Sequence, residues 1–376
     1  MPRPMPSVVF GGESPGSGCR YFRAEIPAKV VRPYWTSHVA NYVLIPEKDD
    51  PDKRLWAWDG LDRPIIEPPD VMTMRIMDEV DVSNGQAKMD DHPFADDIAR
   101  ARDAGQVLLY DIDDDIWRIP EWSPAKQAMN KFIPSTRAYD LEVINRNIEA
   151  CSGVVVSTPY LESRMHDLFP GKPVYLQRPG IDPGVYLKRK HEWNRQPLRV
   201  GWMGSINHYL PHLKTMWTAL EVLNDHKAEF VHLGQVRKDN AEEALAPMGI
   251  PVRHLPWCYI HKLPEHLVTL DIGIIPRVPT EFNEGQSPTS GLQYACAGVP
   301  FLVAPSVEYR RLESQGIGTV CETVEDWARE LNHLLGDPDY RFGKMDQARA
   351  NARRLYGPQV TGRSYVEMLD GLVNGR

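Results

Sequence analysis

Residues 271–300 read DIGIIPRVPTEFNEGQSPTSGLQYACAGVP. The segment opens on a short apolar strand that stops at Pro276. A polar loop rich in Gly, Ser, Pro and Asn follows. Apolar residues then return at the helical positions Leu292, Tyr294, Ala295 and Ala297, and Gly298 and Pro300 close that helix. A second apolar strand runs from Phe301 to Ala304. Strand, loop, helix and strand make a βαβ unit. In such a unit the loop and the helix N-terminus lie at the carboxyl edge of the sheet, where backbone N–H groups can hold a phosphate.

The same alternation extends in both directions. Upstream, strands are expected at Ser7 to Phe10, Tyr42 to Ile45, Val71 to Met74, Val107 to Tyr110, Val154 to Ser157 and Val174 to Leu176. Helices are expected from near Cys19, over 94–104, over 139–149 and after Thr158-Pro159, a capping pair. Residues 47–69 are polar and proline-rich and read as an irregular insertion. The charged, aperiodic stretch 188–197 (KRKHEWNRQP) reads as a linker. The pattern then restarts with strands at Leu198 to Trp202, Phe230 to Leu233 and Val252 to Leu255. A loop is expected over 204–208, and helices over 213–223, 263–269, 324–335, 346–355 and 359–373. The strands are short, apolar and little alternating, as when both faces of a sheet are covered. Two doubly wound α/β domains are therefore expected, 1–190 and 191–356, with a C-terminal helix in 357–376 packing back on the first. Two such sheets with facing carboxyl ends imply an interdomain cleft.

With 376 residues, the chain is long for a single core. Its net charge of −8 gives no global field that would attract nucleic acid or an anionic membrane. The five cysteines are scattered without C-x-x-C spacing and read as reduced thiols of a cytoplasmic protein. No signal-peptide stretch and no run of ~18 apolar residues is present. Serine-hydrolase, zinc-protease, zinc-finger and kinase signatures are missing as well.

Four constellations carry possible chemistry. The first is GGESPGSGCRYFR after the first strand, neither a dinucleotide fingerprint nor a P-loop. It reads either as an ordinary βα turn or as a ligand-facing loop, with Gly18, Arg20 and Arg23 as candidates. The second is the acidic cluster Asp111, Asp113, Asp114 and Asp115 after a buried strand. Three readings stay open for it: a divalent-metal site, an acceptor-binding or general-base site, or a structural turn. The third is GWMGSINHYLPHL, in which Gly204, Ser205 and Asn207 suit a phosphate-binding helix start and His208 adds a donor or a proton acceptor. The fourth is the opening segment itself. There Arg277 can fork onto a diphosphate, and Asn283, Gln286, Ser287, Ser290 and Gln293 offer neutral hydrogen bonds.

Together these residues resemble the GT-B glycosyltransferases, in particular the retaining family of glycogen and sucrose synthases and its bacterial and phage relatives. Gly201 to Leu213 matches their GW-x-GS-x-x-H-x-x-x-x-L segment. Asp271, Gly273, Pro276, Phe282, Asn283, Ser287, Pro288, Leu292, Tyr294, Gly298 and Pro300 match their donor-binding segment. The resemblance implies two Rossmann-like domains of GT-B type and a nucleotide-diphospho-sugar as donor substrate. No cofactor is implied to be required, and a divalent metal is left open. Donor contacts are implied at Gly204, Ser205, Arg277, Asn283, Gln286, Ser287, Ser290 and Gln293. Asp113, Asp114 and His208 take catalytic roles in this reading, and Gly18, Arg20, Arg23 and Asp115 lie on the acceptor side. The acidic cluster also resembles the D-x-D motif of GT-A enzymes, a one-sheet fold that the two-domain layout disfavours. The chain departs from the family pattern at three positions. Gln286 and Ser290 stand where the family has lysines, and Gln293 stands where it has a ribose-binding glutamate. A catalytically degenerate binding protein is the alternative, as is a protein- or nucleobase-modifying enzyme of phage type.

Overall fold

A computed structural model describes residues 5–11, 17–40, 42–44, 56–58, 69–74, 94–123, 126, 141–187, 196–234, 245–246 and 249–374. The chain forms two compact units: Met1–Gly180 with Pro358–Arg376, and Ile181–Gly357.

The first unit is built on a six-stranded parallel sheet. Its strands are β1 (Ser7–Gly11), β2 (Thr36–Ala40), β5 (Val71–Met74), β6 (Val107–Ile112), β7 (Gly153–Val156) and β8 (Val174–Leu176), in the order β2-β1-β5-β6-β7-β8. Between β1 and β2 a continuous helical stretch, α1, runs through Gly18–Arg20, a π-helical segment Tyr21–Glu25, and Ile26–Val31. Ser17 caps it by accepting the Arg20 N–H at 3.1 Å. Helices α2 (Phe94–Asp103), α3 (Leu141–Ala150) and α4 (Pro159–Leu168) follow. Thr158 caps α4 as expected, with Pro159 at its first position, where a missing N–H costs nothing. Val8, Phe10, Val71, Leu109 and Val155 of the sheet pack against Ala24, Ala28 and Val31 of α1. Tyr365, Met368 and Leu369 of the C-terminal helix, Pro358–Asn374, complete that core. Each such large apolar side chain contributes about 2 kcal/mol by leaving water.

Three features of this unit depart from the sequence reading. Thr36–Ala40 is a strand that its short, alternating pattern did not declare. Tyr42–Leu44 (β3) does not join the main sheet but pairs antiparallel with Trp56–Trp58 (β4), inside the expected irregular insertion. Strand β6 also runs two residues further than expected, so Asp111 belongs to the sheet. Most of the first glycine loop, residues 12–16, and the linker residues 188–195 lie outside the described residues.

The second unit carries β9 (Arg199–Met203), β10 (Glu229–Gly234), β11 (Val252–Pro256), β12 (Ile272–Ile275), β13 (Phe301–Val303) and β14 (Thr319–Val320). All are parallel, in the order β11-β10-β9-β12-β13-β14. Its helices include α5 (Ile206–Lys214), α6 (Glu281–Gly285), α7 (Thr289–Ala297), α8 (Val307–Ser314), α9 (Val324–Gly336) and α10 (Pro338–Tyr356). Alternate strand residues face opposite sides. Val200, Trp202, Phe230, Ile272, Ile274 and Leu302 enter one core, and Val231, Leu233, Ile275, Phe301 and Val303 enter the other. Both faces are covered, which is why these strands are apolar throughout.

Helix α5 corrects the sequence reading. The expected loop 204–208 already turns helical at Ile206, and Pro211 sits inside the helix. The expected helix 213–223 is broken up: α5 ends at Lys214, then a 3-10 turn (Trp217–Glu221) and a short helix (Val222–Asp225) follow. Among the described residues no helix is long and apolar enough to cross a membrane.

Candidate functional site

In the second unit the strand order reverses direction between β9 and β12. In open parallel sheets the crevice outside the carboxyl ends at such a switch point is where ligands bind. Gly201 and Gly273 are register partners, so the turns leaving β9 and β12 start side by side. Those turns carry Gly204 and Ser205 on one side and Arg277 on the other. One hydrogen bond ties them together: the Val278 N–H donates to His212 Nδ1, on α5, at 2.8 Å. Burial, helped by the Arg277 charge, lowers the His212 pKa to about 4. The ring is therefore neutral at physiological pH and free to accept that bond.

Arg277 lies over the Tyr309 ring, 5.2 Å from its centroid, and donates to the Asn283 carbonyl at 3.3 Å. The ring holds the guanidinium by its negative face while leaving N–H groups of the fork for other acceptors. Tyr309 is fully buried on α8 and also packs under the start of α7, since a Cβ at Gly291 would come within 2.9 Å of its ring. The first backbone N–H groups of α7 are thus brought towards the Arg277 side. The helix ends in the left-handed Gly298, φ 73°, a conformation that costs glycine least. Ser287 precedes α7. Pro288 is its N-cap, and the first helical residue is Thr289, one position later than a proline at the helix start would give.

The polar candidates fall into two groups. Asn283 is buried and spent on structure: its Nδ2 donates to the Val278 carbonyl at 2.7 Å, and its own N–H goes to Thr280 Oγ1 at 3.2 Å. It closes the loop rather than offering a hand to a ligand. Gln286 is also engaged within the chain. By contrast the side chains of Ser287, Ser290 and Gln293 make no hydrogen bond among the described residues, although Gln293 is only 6% exposed. Ser205, at the N-cap of α5, has a buried Oγ without a partner. His208 lies in the first turn of α5, and its side chain is outside the described residues. Glu284 is turned to the start of α8, where it accepts the Val307 N–H at 2.9 Å.

Sequence reading missed the histidines of this edge. His232 is fully buried on β10, with Nε2 2.7 Å from the Gly204 oxygen and Nδ1 3.0 Å from His254 Nδ1. Burial and the neighbouring His254 pull its pKa down to about 4, against the opposing pull of the Gly204 carbonyl. A signal existed: β10 ends VHLG and β11 reads VRHLP, so a His-Leu pair recurs at matching depth in adjacent strands.

In the first unit Arg20, Arg23, Asp111 and Asp115 are paired within the unit. Arg23 is 2% exposed. Its Nε and Nη2 donate to the two oxygens of Asp111 at 2.9 and 2.7 Å, and its Nη1 donates to the Gln177 carbonyl at 2.7 Å. Burial works against the Arg23 charge, but the Asp111 carboxylate outweighs it and the guanidinium holds its proton more tightly than usual. Each of the three guanidinium nitrogens of Arg23 thus makes a hydrogen bond within the unit. Arg20 pairs with Glu25 at 3.1 Å. Asp115 is fully buried with Arg164 at 3.4 Å and Arg118 at 3.9 Å, and burial raises its pKa despite both cations. Asp113 and Asp114 are half-buried at the strand end, and Gly18 starts α1. Among the described residues no group of three or more His, Cys, Asp or Glu is placed to hold a metal ion.

Two Rossmann-like α/β units in tandem, the second with the doubly wound strand order, define a fold of the GT-B type. Among solved structures of this fold, sucrose-phosphate synthase from Thermosynechococcus elongatus matches with a TM-score of 0.62 at 9% identity, over 99% of this chain and 100% of that one. HepE from Anabaena, solved with UDP and glucose, matches with a TM-score of 0.57 at 13% identity, over 97% of this chain and 99% of that one. TarM from S. aureus, solved with fondaparinux, alpha-GlcNAc-glycerol and UDP, matches with a TM-score of 0.54 at 12% identity over 80% of this chain; the chain spans 55% of TarM. No family model matches the sequence, and no curated protein is similar to it at the sequence level.

Proposed function

We propose that the protein is a glycosyltransferase that moves a sugar from a nucleotide-diphospho-sugar to an acceptor. The observation that carries this is the set of polar side chains without internal partners at the second unit's switch point: Ser205, Ser287, Ser290 and Gln293, beside Arg277. Of these only the Ser205 Oγ is a buried atom left without a partner, a costly state that a polar ligand would relieve, while the others are open to a ligand's hydrogen bonds. HepE and TarM, which share the fold, hold UDP in their structures, and this supports a uridine nucleotide as the first probe.

In this reading the diphosphate lies against Arg277 and the N–H groups at the starts of α5 and α7. In the reaction the bond from the anomeric carbon to the diphosphate oxygen breaks, and a bond from that carbon to the acceptor atom forms. The acceptor loses its proton, and the nucleoside diphosphate leaves with the electron pair. The cation and the fixed N–H groups stabilise the charge developing on the leaving group. Retention of anomeric configuration is expected from the family resemblance. Asp113 and Asp114 are the acceptor-side carboxylates that the family resemblance implies.

The test is calorimetric titration with UDP and with UDP-, GDP- and dTDP-sugars, followed by an assay for nucleoside diphosphate released in the presence of acceptors. Binding that weakens in Gln293→Leu supports the site. Failure to bind any of these nucleotides overturns it. Binding without turnover across an acceptor panel favours the degenerate binding protein, for which the neutral Gln286 and Ser290 in place of cations already speak.

A further inference from the structure

Three rings stand in a row across the second sheet. Trp202 on β9, His232 on β10 and His254 on β11 are register partners, so they project from the same face. The Trp202 and His232 rings lie 5.2 Å apart, and the His232 and His254 rings are stacked at 5.1 Å. A carbonyl oxygen can only accept, so the 2.7 Å contact to Gly204 puts the His232 proton on Nε2. Neutral His232 then has a lone pair on Nδ1, and the 3.0 Å contact makes His254 Nδ1–H the donor to it. The proton positions along this row are thereby set by a single fixed acceptor.

That acceptor belongs to the turn at the switch point. The Gly204 N–H donates to the Leu233 carbonyl at 2.9 Å, so β10 holds both backbone polar groups of Gly204. The fit is close on every side. A Cβ at Gly234 would overlap the Gly204 oxygen, and a Cβ at Gly204 would come within 3.0 Å of the Trp202 ring. The Gly204 carbonyl and the Ser205 N–H share one planar trans peptide and point in opposite directions. Anchoring the oxygen on His232 therefore aims the Ser205 N–H away from the ring and fixes the residue that caps α5. The Ser205 Oγ beside it has no partner.

We propose that His232 is a positioning residue for the nucleotide-sugar site: its Nε2–H, locked in place by His254, orients the Gly204–Ser205 peptide that the donor meets. This rests on the donor-site reading above. His232 itself does not touch the ligand. It acts by removing the freedom of a glycine turn that would otherwise have to be ordered on binding.

The experiment compares wild type, His232→Leu, His232→Gln and His254→Leu. Glutamine presents an amide N–H where the imidazole has Nε2–H, and leucine presents nothing. UDP binding by calorimetry is expected to weaken about tenfold in His232→Leu, the worth of one net hydrogen bond. It is expected to stay within about threefold of wild type in His232→Gln and to fall between the two in His254→Leu. Equal binding by wild type and His232→Leu overturns the proposal. So does a His232→Gln variant as weak as His232→Leu, because ring packing and not the bond would then be responsible. If His232→Leu does not fold, the comparison of His254→Leu and His232→Gln with wild type decides, and equal affinity in all three overturns it. Hydrogen–deuterium exchange over residues 203–207 of ligand-free protein separates this inference from the function it rests on. Exchange faster in His232→Leu than in wild type and His232→Gln supports the anchoring even where UDP does not bind, which counts against the donor site alone. Unchanged exchange overturns the anchoring.

Discussion

The two sheets present chemically opposite carboxyl edges. In the first unit the buried charges are paired: Arg23 donates to Asp111 and Gln177, and Asp115 is enclosed by Arg118 and Arg164. In the second unit neutral groups are left open, at Ser205, Ser287, Ser290 and Gln293, with one arginine held over a tyrosine ring. The lesson is that charge in a sequence is a poor guide to a site. A buried charge must find a partner to be tolerated, and the partner removes it from use. A serine or glutamine at a helix start can remain unpaired at a smaller cost.

The sharpest way to break this contrast is at the buried ion pair. Arg23→Ala should destabilise the first unit by about 3–5 kcal/mol, because Asp111 stays behind as an uncompensated buried charge. Arg23→Lys should recover only part, since an ammonium cannot bind both oxygens as a fork. Guanidinium denaturation measures both, and a loss below about 1 kcal/mol for Arg23→Ala would mean the pair is not structural. The second test is acid. His212 and His232 have folded pKa values near 4, below the value of about 6.5 expected in the unfolded chain. Between those limits the unfolded chain binds more protons, so stability rises with pH across the window and is lost as pH falls through it. At pH 5 the loss should be on the order of 2 kcal/mol for each histidine, with none above about pH 7. Denaturation midpoints at pH 5, 6 and 7 check this, and His212→Asn should remove about half of the slope.

Smaller effects sharpen the open edge. Arg277→Ala should raise the UDP dissociation constant about tenfold with little change in melting temperature, since the cation sits half-buried over Tyr309 rather than in an ion pair. Unchanged affinity by calorimetry would remove Arg277 from the site. Ser205→Ala should cost about threefold in UDP affinity yet leave stability equal or slightly higher, because the buried hydroxyl has no partner to lose. A destabilised Ser205→Ala would show that the hydroxyl serves the fold.

How much of this was legible beforehand follows from the range of the interactions involved. The βαβ unit at 271–303 and the Thr158-Pro159 cap were readable because strand, loop and cap are encoded within a few neighbouring residues. Helix α6 was missed although Thr280 caps it, accepting the Asn283 N–H. Five residues do not establish a period. A helix start at Ser205 was expected, but the body of the helix was placed at 213–223, beyond Pro211, while the fold tolerates one lost backbone bond there. The Arg23–Asp111 pair spans 88 residues and the His232–His254 pair 22. Both depend on strand order and register, which local patterns do not carry.

The C-terminal helix has a consequence for biosynthesis. Tyr365, Met368 and Leu369 fill the same core as Val8 and Phe10, so the half that leaves the ribosome first is also the half completed last. Until residues 358–374 have emerged, the apolar face formed by Val8, Phe10 and their neighbours is only partly covered, by α1, while the intervening 177 residues, 181 to 357, already hold everything their own sheet needs.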